Sequence, residues 1–321
     1  MSEAKSQPPR FPPKEVRLGQ LTQQLLGGAR WQGADEFPAW QVWADDVEQV
    51  LTFLQQESRL EAFFSTAKNV QTPQHRDACL AEARGAFHLK RNGFRIVQWE
   101  PPGEGRTKGE VLVSLPNSPA IFVEVKQPGW QGEYLPRRIA ERQNLSVEDR
   151  KLRFARTKQD KHIGIEGGAV GSHLVALDVV RRNALPKLTN QCPNLVIVVD
   201  DLKTTPVGLP SLSTFVEREF STPDHDPDDP DDVFTYERLG GLLFLQPEAE
   251  GDQSVEYRTD FVRNPNAIPM CALPPTASAL LVQMREQSRR LHEQQFAGRP
   301  SLFDILRSRD KAEGPPWDPF R

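Results

Sequence analysis

Ile121-Phe122-Val123-Glu124-Val125-Lys126 is the stretch around which the rest of the chain is organised. Side chains alternate along an extended strand. Glu124 and Lys126 therefore leave from one face together with Phe122, while Ile121, Val123 and Val125 occupy the other. The run is apolar enough for a strand buried inside a sheet. A carboxylate and an ammonium buried there are costly unless they pair or hold a ligand. An acid and a lysine side by side on one strand suit a site that binds a cation and a polarised water.

Upstream, Pro116 to Pro119 makes a turn, and Glu110-Val111-Leu112-Val113-Ser114-Leu115 reads as the preceding strand. Residues 94–99 alternate as another. Residues 76–92 carry Cys79, Ala83, Ala86 and Phe87 at helical spacing, with Asn92-Gly93 as the C-terminal stop. Glu82 lies on or beside that apolar stripe. Helix, strand, strand, strand is the local order expected here. Further upstream, Trp40, Val42, Trp43, Val47, Val50, Leu51 and Leu54 recur at helical spacing, in a pattern that extends to Phe64. A short helical pattern covers residues 16–26 before Gly27-Gly28.

Downstream of Lys126 the chain turns basic: from Lys126 to Lys161 there are ten Lys or Arg against five Asp or Glu. Ser146 is an N-cap candidate with acids in the next turn. The helix it opens carries Leu152, Ala155, Gln159 and Ile163 on one face. Residues 172–180, 194–199 and 241–245 are apolar, β-branched runs suited to buried strands. The acidic run at 222–232 lacks the turn glycine and the terminal bidentate Glu of a calcium loop, and its prolines stiffen it; it reads as solvated. Residues 276–296 form a polar amphipathic helix.

These elements divide the chain into a Pro-rich tail at 1–14 and a helical extension at 15–72. A sheet domain at 73–270, with its acidic loop at 221–233, and a C-terminal helix and tail at 271–321 complete it. With 321 residues, 37% hydrophobic and 28 prolines, a core of moderate size ringed by loops is expected. No stretch approaches the ~18 apolar residues of a membrane span, and the N-terminus has no apolar signal-peptide region. Three scattered cysteines fit neither a disulfide framework nor a zinc site, so a reducing cytoplasm is the expected location. The net charge of −4 weakens a nucleic-acid argument from charge alone, but the local basic stretch keeps that argument open.

Glu82, Glu110, Glu124 and Lys126 thus fall on neighbouring elements. Converging carboxylates favour a hard divalent cation, Mg²⁺ or Mn²⁺. Glu82 in a helix, then a strand, then Glu110, then Glu124-Val125-Lys126, then a helix with Gln159, resembles the PD-(D/E)XK nuclease superfamily. The resemblance covers roughly residues 75–200. It implies a restriction-endonuclease-like α/β fold with an αβββαβ core and mixed central sheet, and Mg²⁺-dependent cleavage of nucleic acid, DNA before RNA. It further implies Glu110, Glu124 and the Val125 carbonyl as metal ligands and Glu82 as an outer or second-metal ligand. Lys126 would position the water, and Gln159 would make an auxiliary polar contact. Arg137, Arg138, Arg153, Arg156, Lys158 and Lys161 are the residues expected to meet the phosphate backbone.

Where that family usually has Pro-Asp, this chain has Gly109-Glu110. The extra methylene of glutamate shifts the carboxylate against an ion that demands a near-ideal octahedron. A nuclease-fold module with impaired catalysis, acting as a nucleic-acid or protein adaptor, is therefore the alternative. The helical ends would then serve a protein partner or a second copy of the chain.

Overall fold

The computed structural model describes residues 18–26, 40–69, 73–127, 179–199, 214, 216–217, 219–220, 236–250 and 254–296. Helices α1 (Gln20–Leu26), α2 (Trp40–Gln56), α3 (Leu60–Asn69) and α4 (Pro73–Arg91) come first. Strands β1 (Arg95–Trp99), β2 (Val111–Ser114) and β3 (Ile121–Lys126) follow. A π turn at Val180–Ala184 and a 3-10 turn at Leu185–Lys187 lead into β4 (Asn194–Val199). The hairpin of β5 (Gly241–Glu250) and β6 (Ser254–Arg263) and helix α5 (Pro275–Phe296) complete the described order.

Among the described residues the six strands form one mixed sheet in sequence order. The β1–β2, β2–β3 and β5–β6 pairs are antiparallel, whereas β3–β4 and β4–β5 are parallel. The chain is thus a mixed α/β protein. Every residue of β4 is buried, and β3 is buried from Ile121 to Val125. The two strands have helices or turns over both faces, which is why they read as near-continuous apolar runs. β1 is an edge strand and largely exposed.

The alternation expected for β3 is what divides the core. Ile121, Val123 and Val125 pack with Leu195, Ile197, Leu243 and Leu245 under α2, α4 and α5. Phe122 packs on the opposite face with Val196, Val198, Leu242 and Phe244, beneath Val180, Ala184, Leu185 and Leu188. Glu124 and Lys126 share the Phe122 face. Helix α4 ends where Asn92-Gly93 was expected to stop it: Gly93 adopts φ 92° and the Phe94 amide donates to the Leu89 carbonyl at 3.1 Å.

Several expectations need correction. The helical pattern from Trp40 does not run on to Phe64. Ser58 takes a left-handed φ of 58°, the Arg59 amide donates to the Leu54 carbonyl at 2.8 Å, and a new helix starts at Leu60. The apolar periodicity survives because α3 resumes packing on the same core. The strand expected at 172–180 does not include its last two residues, since Val179 and Val180 are helical. Val180 answers to packing under the sheet rather than to β propensity. β5 continues beyond Leu245 to Glu250, and β6 pairs with its whole length.

The N-terminal helices expected as an extension share the sheet's own core through Leu25, Val47, Val50, Leu51, Leu54 and Ala67. A buried polar cluster joins them to it. Arg84 of α4 donates to Asp46 of α2 at 2.6 Å, with the side chains 2% and 1% exposed, and the Tyr257 hydroxyl of β6 donates to the other Asp46 oxygen. Burial, then the Asp46 charge, pushes the Tyr257 phenol well above its ordinary pKa. No described helix is long and apolar enough to cross a membrane.

Candidate active site at the β2–β3 junction

The antiparallel register of β2 and β3 builds the site. Val111 lies opposite Val123, so one residue further out Glu110 lies opposite Glu124. Facing residues on adjacent strands project to the same side, with Cβ atoms roughly 4.5–5.5 Å apart. The position of Glu110 is held from both flanks: its amide donates to the Val123 carbonyl at 3.0 Å, and its carbonyl accepts the Glu100 amide at 3.0 Å. Two like charges facing each other this way are destabilising unless something sits between them.

Two ammonium groups do. Lys126 Nζ forms an ion pair with Glu124 Oε1 and lies 3.6 Å from Glu110 Oε1. It also donates to the Val125 carbonyl at 3.0 Å. Lys187 Nζ lies 2.6 Å from Glu124 Oε1 and 3.8 Å from Glu110 Oε1. Both lysines therefore meet the same oxygen of Glu124. Its other oxygen, Oε2, is buried and has no hydrogen-bond partner among the described residues. Exposure rises outward from Glu124 at 0% through Lys126 at 14% and Glu110 at 16% to Lys187 at 29%, so the site opens towards Lys187.

Glu82 approaches from α4. Burial raises its pKa, Lys126 opposes that rise, and Glu124 adds to it; the net direction is up. Burial also raises Glu110, followed by the charges of Glu82 and Glu124, against Lys126 and Lys187, and its carboxyl is pushed up to about 8. Three carboxylates thus share one poorly solvated field. One turn before Glu82, the Cys79 thiol is pushed up to about 11 by burial and then by Glu82 and Glu110. For Lys187, burial works against the charge. Its hydrogen bond to Glu124 and the charges of Glu124 and Glu110 outweigh that, and its pKa is raised.

Local packing explains the glycines here. A Cβ on Gly109 would meet Phe122 Cζ at 2.3 Å, so the chain entering β2 can cross the Phe122 ring only as glycine. A Cβ on Gly85 would lie 2.8 Å from Val125 Cγ2, so α4 rests directly on β3 beside the site. That close approach carries Glu82 to the strand ends.

Glu110 and Glu124 each meet Lys126, and Glu82 acts on the same charges. Gln159 and the basic residues Arg137, Arg138, Arg153, Arg156, Lys158 and Lys161 lie outside the described residues. Lys187 was not anticipated from the sequence. It ends the 3-10 turn just before β4, and only the parallel pairing of β4 with β3 brings it over Glu124. Its position in Leu185-Pro186-Lys187, ahead of an apolar run, was the available signal, and it is a weak one.

In chemical type the donors suit a hard divalent cation: the carboxylates of Glu110 and Glu124, a buried Glu124 Oε2 that has no hydrogen-bond partner among the described residues, and Glu82 near enough to act on their charges. Among the described residues no three His, Cys, Asp or Glu side chains already converge closely enough to form a metal cage. The ammonium groups of Lys126 and Lys187 stand between the carboxylates where such an ion would have to enter.

No protein-family model matches the chain, and no curated protein matches it. A search of solved structures found a chain described as "SPO1766 protein of unknown function from Silicibacter pomeroyi". It is 16% identical, with 70% of this chain and 95% of that one covered, at a TM-score of 0.20. A likeness at that TM-score carries no argument about fold or function.

Proposed function

We propose that the chain is a divalent-metal-dependent phosphodiesterase of the restriction-endonuclease-like, PD-(D/E)XK class, acting on nucleic acid, DNA before RNA. The observation that carries this reading is the Glu110–Glu124 cross-strand pair with Lys126 in contact with both, on a strand buried everywhere but its end. The order α4, β1, β2, β3, β4, with β3 antiparallel to β2 and parallel to β4, supports the strand part of the αβββαβ reading, while the helix expected from Ser146 lies outside the described residues. Gly109 in place of the usual proline has a local cause, the Phe122 ring beneath it, and so does not weigh against the class.

Glu110, Glu124, Glu82 and the Val125 carbonyl would hold the cation, which would supply Lewis-acid polarisation and lower the pKa of a bound water. Lys126, fixed by the Val125 carbonyl and two carboxylates, would orient the attacking water and offset charge developing on the phosphate. Glu124, fully buried on a rigid central strand, sets the position of both lysines. Magnesium or manganese should therefore switch on cleavage of plasmid DNA or RNA by purified protein, and a chelator should stop it. Glu124→Gln and Lys126→Met should each lose that cleavage. If both cleave as well as wild type, the assignment is wrong.

A second reading is a module that binds nucleic acid without cutting it. It is favoured by the two lysines that already neutralise the carboxylates. Salt-sensitive DNA binding without cleavage under any divalent ion would select it.

A further inference from the structure

Lys187 is the one member of this cluster that the phosphodiesterase reading leaves without a task, and its setting is specific. Its backbone is clamped: the Lys187 carbonyl accepts the Glu104 amide at 3.1 Å, and Gly103 packs so closely that a Cβ there would lie 2.6 Å from that carbonyl. On either side of it, Arg238 donates to the Leu188 carbonyl at 2.9 Å and to the Leu185 carbonyl at 3.3 Å. The main chain of Lys187 is therefore fixed over the site, while its flexible four-carbon stem leaves the ammonium free to pivot. The Lys187 side chain is 29% exposed, against 16% for Glu110, 14% for Lys126 and 0% for Glu124.

The charge count gives the pivot a direction. Glu82, Glu110 and Glu124 against Lys126 and Lys187 leave one negative charge when all are ionised. A divalent cation makes the sum one positive, the charge that a phosphodiester neutralises. A cation on Glu124 Oε2 would stand beside the two ammoniums that meet Oε1 of the same carboxylate, and it would repel both. Lys126 is retained by the Val125 carbonyl, whereas among the described residues the Lys187 ammonium is held by the two carboxylates.

Building on the phosphodiesterase reading, we propose that Lys187 is a second, mobile cation of the site. It holds Glu124 until a divalent ion takes the carboxylate, and then turns outward to a non-bridging oxygen of the scissile phosphate. The same side chain thus lowers affinity for the metal and raises affinity for the phosphate.

The test uses full-length protein with Lys187→Met and Lys187→Arg, two readouts, and melting curves to show that the variants are folded. Calorimetric Mn²⁺ titration should show Lys187→Met binding the ion on the order of tenfold more tightly than wild type, because the competing ammonium is gone. Cleavage of a labelled DNA duplex by Lys187→Met should show a raised KM and a kcat lower by about a hundredfold, the scale for losing one charge-stabilising donor. Lys187→Arg, which keeps the cation, should stay within a few-fold of wild type in cleavage. A folded Lys187→Met that equals wild type in either readout overturns the proposal. Should Lys187→Met fail to fold, Lys187→Gln is read by the same criteria. A wild-type protein that neither binds Mn²⁺ nor cleaves refutes the phosphodiesterase reading itself, and Lys187 loses its role with it. Failure of the Lys187 proposal alone leaves wild-type binding and cleavage intact.

Discussion

Replacing Gly85 by alanine tests whether the contact between α4 and β3 sets the geometry of the site. Two effects oppose each other. Alanine in a helix interior is favoured over glycine by about 1 kcal/mol. Against this, the new methyl would lie 2.8 Å and 3.1 Å from the two Val125 methyls, with Ile197 Cδ1 at 3.5 Å behind them. Relieving the closest contact to a normal ~3.5 Å carbon separation requires a shift of roughly 0.7 Å. Neither valine methyl can retreat, because Val125 is 1% exposed and β-branched, so the helix must lift or the strand must bend. Overpacking of this kind costs about 1–3 kcal/mol. The expected balance is a net loss of roughly 0–2 kcal/mol, or a few degrees in Tm for a domain of this size.

The functional consequence of that shift should exceed the stability loss. Glu82 is three residues before Gly85 and rides on the same helix. A displacement approaching 1 Å in a catalytic group can lower a rate by about a hundredfold. Thermal unfolding and Mn²⁺ titration on the same preparation separate the two effects: Tm should fall slightly, whereas divalent affinity and cleavage should fall by tenfold or more. A Gly85→Ala protein that gains the full propensity benefit and keeps wild-type metal binding would show that α4 does not touch β3 at this point, and the placement of Glu82 would go with it.

Three other perturbations have clear expected outcomes. Saturating Mg²⁺ at about a hundred times its Kd should stabilise wild type by ~2.7 kcal/mol, and Glu124→Gln should abolish that increment in a melting assay. Asp46→Ala leaves the buried Arg84 without its carboxylate and frees the Tyr257 hydroxyl, so a loss of ~3–5 kcal/mol is expected in urea unfolding; a loss under 1 kcal/mol would mean the cluster is hydrated. His88 is fully buried between Arg91 of its own helix and Tyr257 and Thr259 of β6. Burial and then Arg91 push its pKa from 6.5 down to about 3. It stays neutral in the fold and protonates on unfolding, so its contribution is full above pH 6.5 and declines as pH falls towards 3. Stability should drop by about 2 kcal/mol between pH 8 and pH 5 from this residue alone. His88→Phe should remove that part of the pH dependence, and an unchanged slope would refute the assignment.

Much of the site was legible before any fold was known, because it depends on short-range rules. Alternation along 121–126 placed Glu124 and Lys126 on one face. The turn at Pro116 to Pro119 joined two neighbouring strands and so put Glu110 beside the Glu124 strand, while the register that sets it opposite Glu124 came from the pairing itself. Asn92-Gly93 marked the end of the helix that carries Glu82, as the Gly93 φ of 92° bears out. β6 carried the same kind of signal, with Val255, Tyr257, Thr259 and Phe261 alternating against Glu256, Arg258 and Asp260. No strand was expected there from the sequence, and pairing along the whole of β5 marks it as one.

Other features depend on contacts between distant segments, and no local pattern encodes those. Arg84 reads as a surface neighbour of Glu82 until α2 brings Asp46 against it. Ser58 gives little warning that it will break a continuous helical stripe, because the stripe itself is kept on both sides of the break. Lys187 joins the carboxylates only because β4 lies parallel to β3, and that pairing follows a long crossover whose path the strand sequences do not specify. The residues near one another in the chain therefore determined which groups face the site. Sheet order decided which charges meet there, since a side chain's partners come from strand neighbours that lie far apart in sequence.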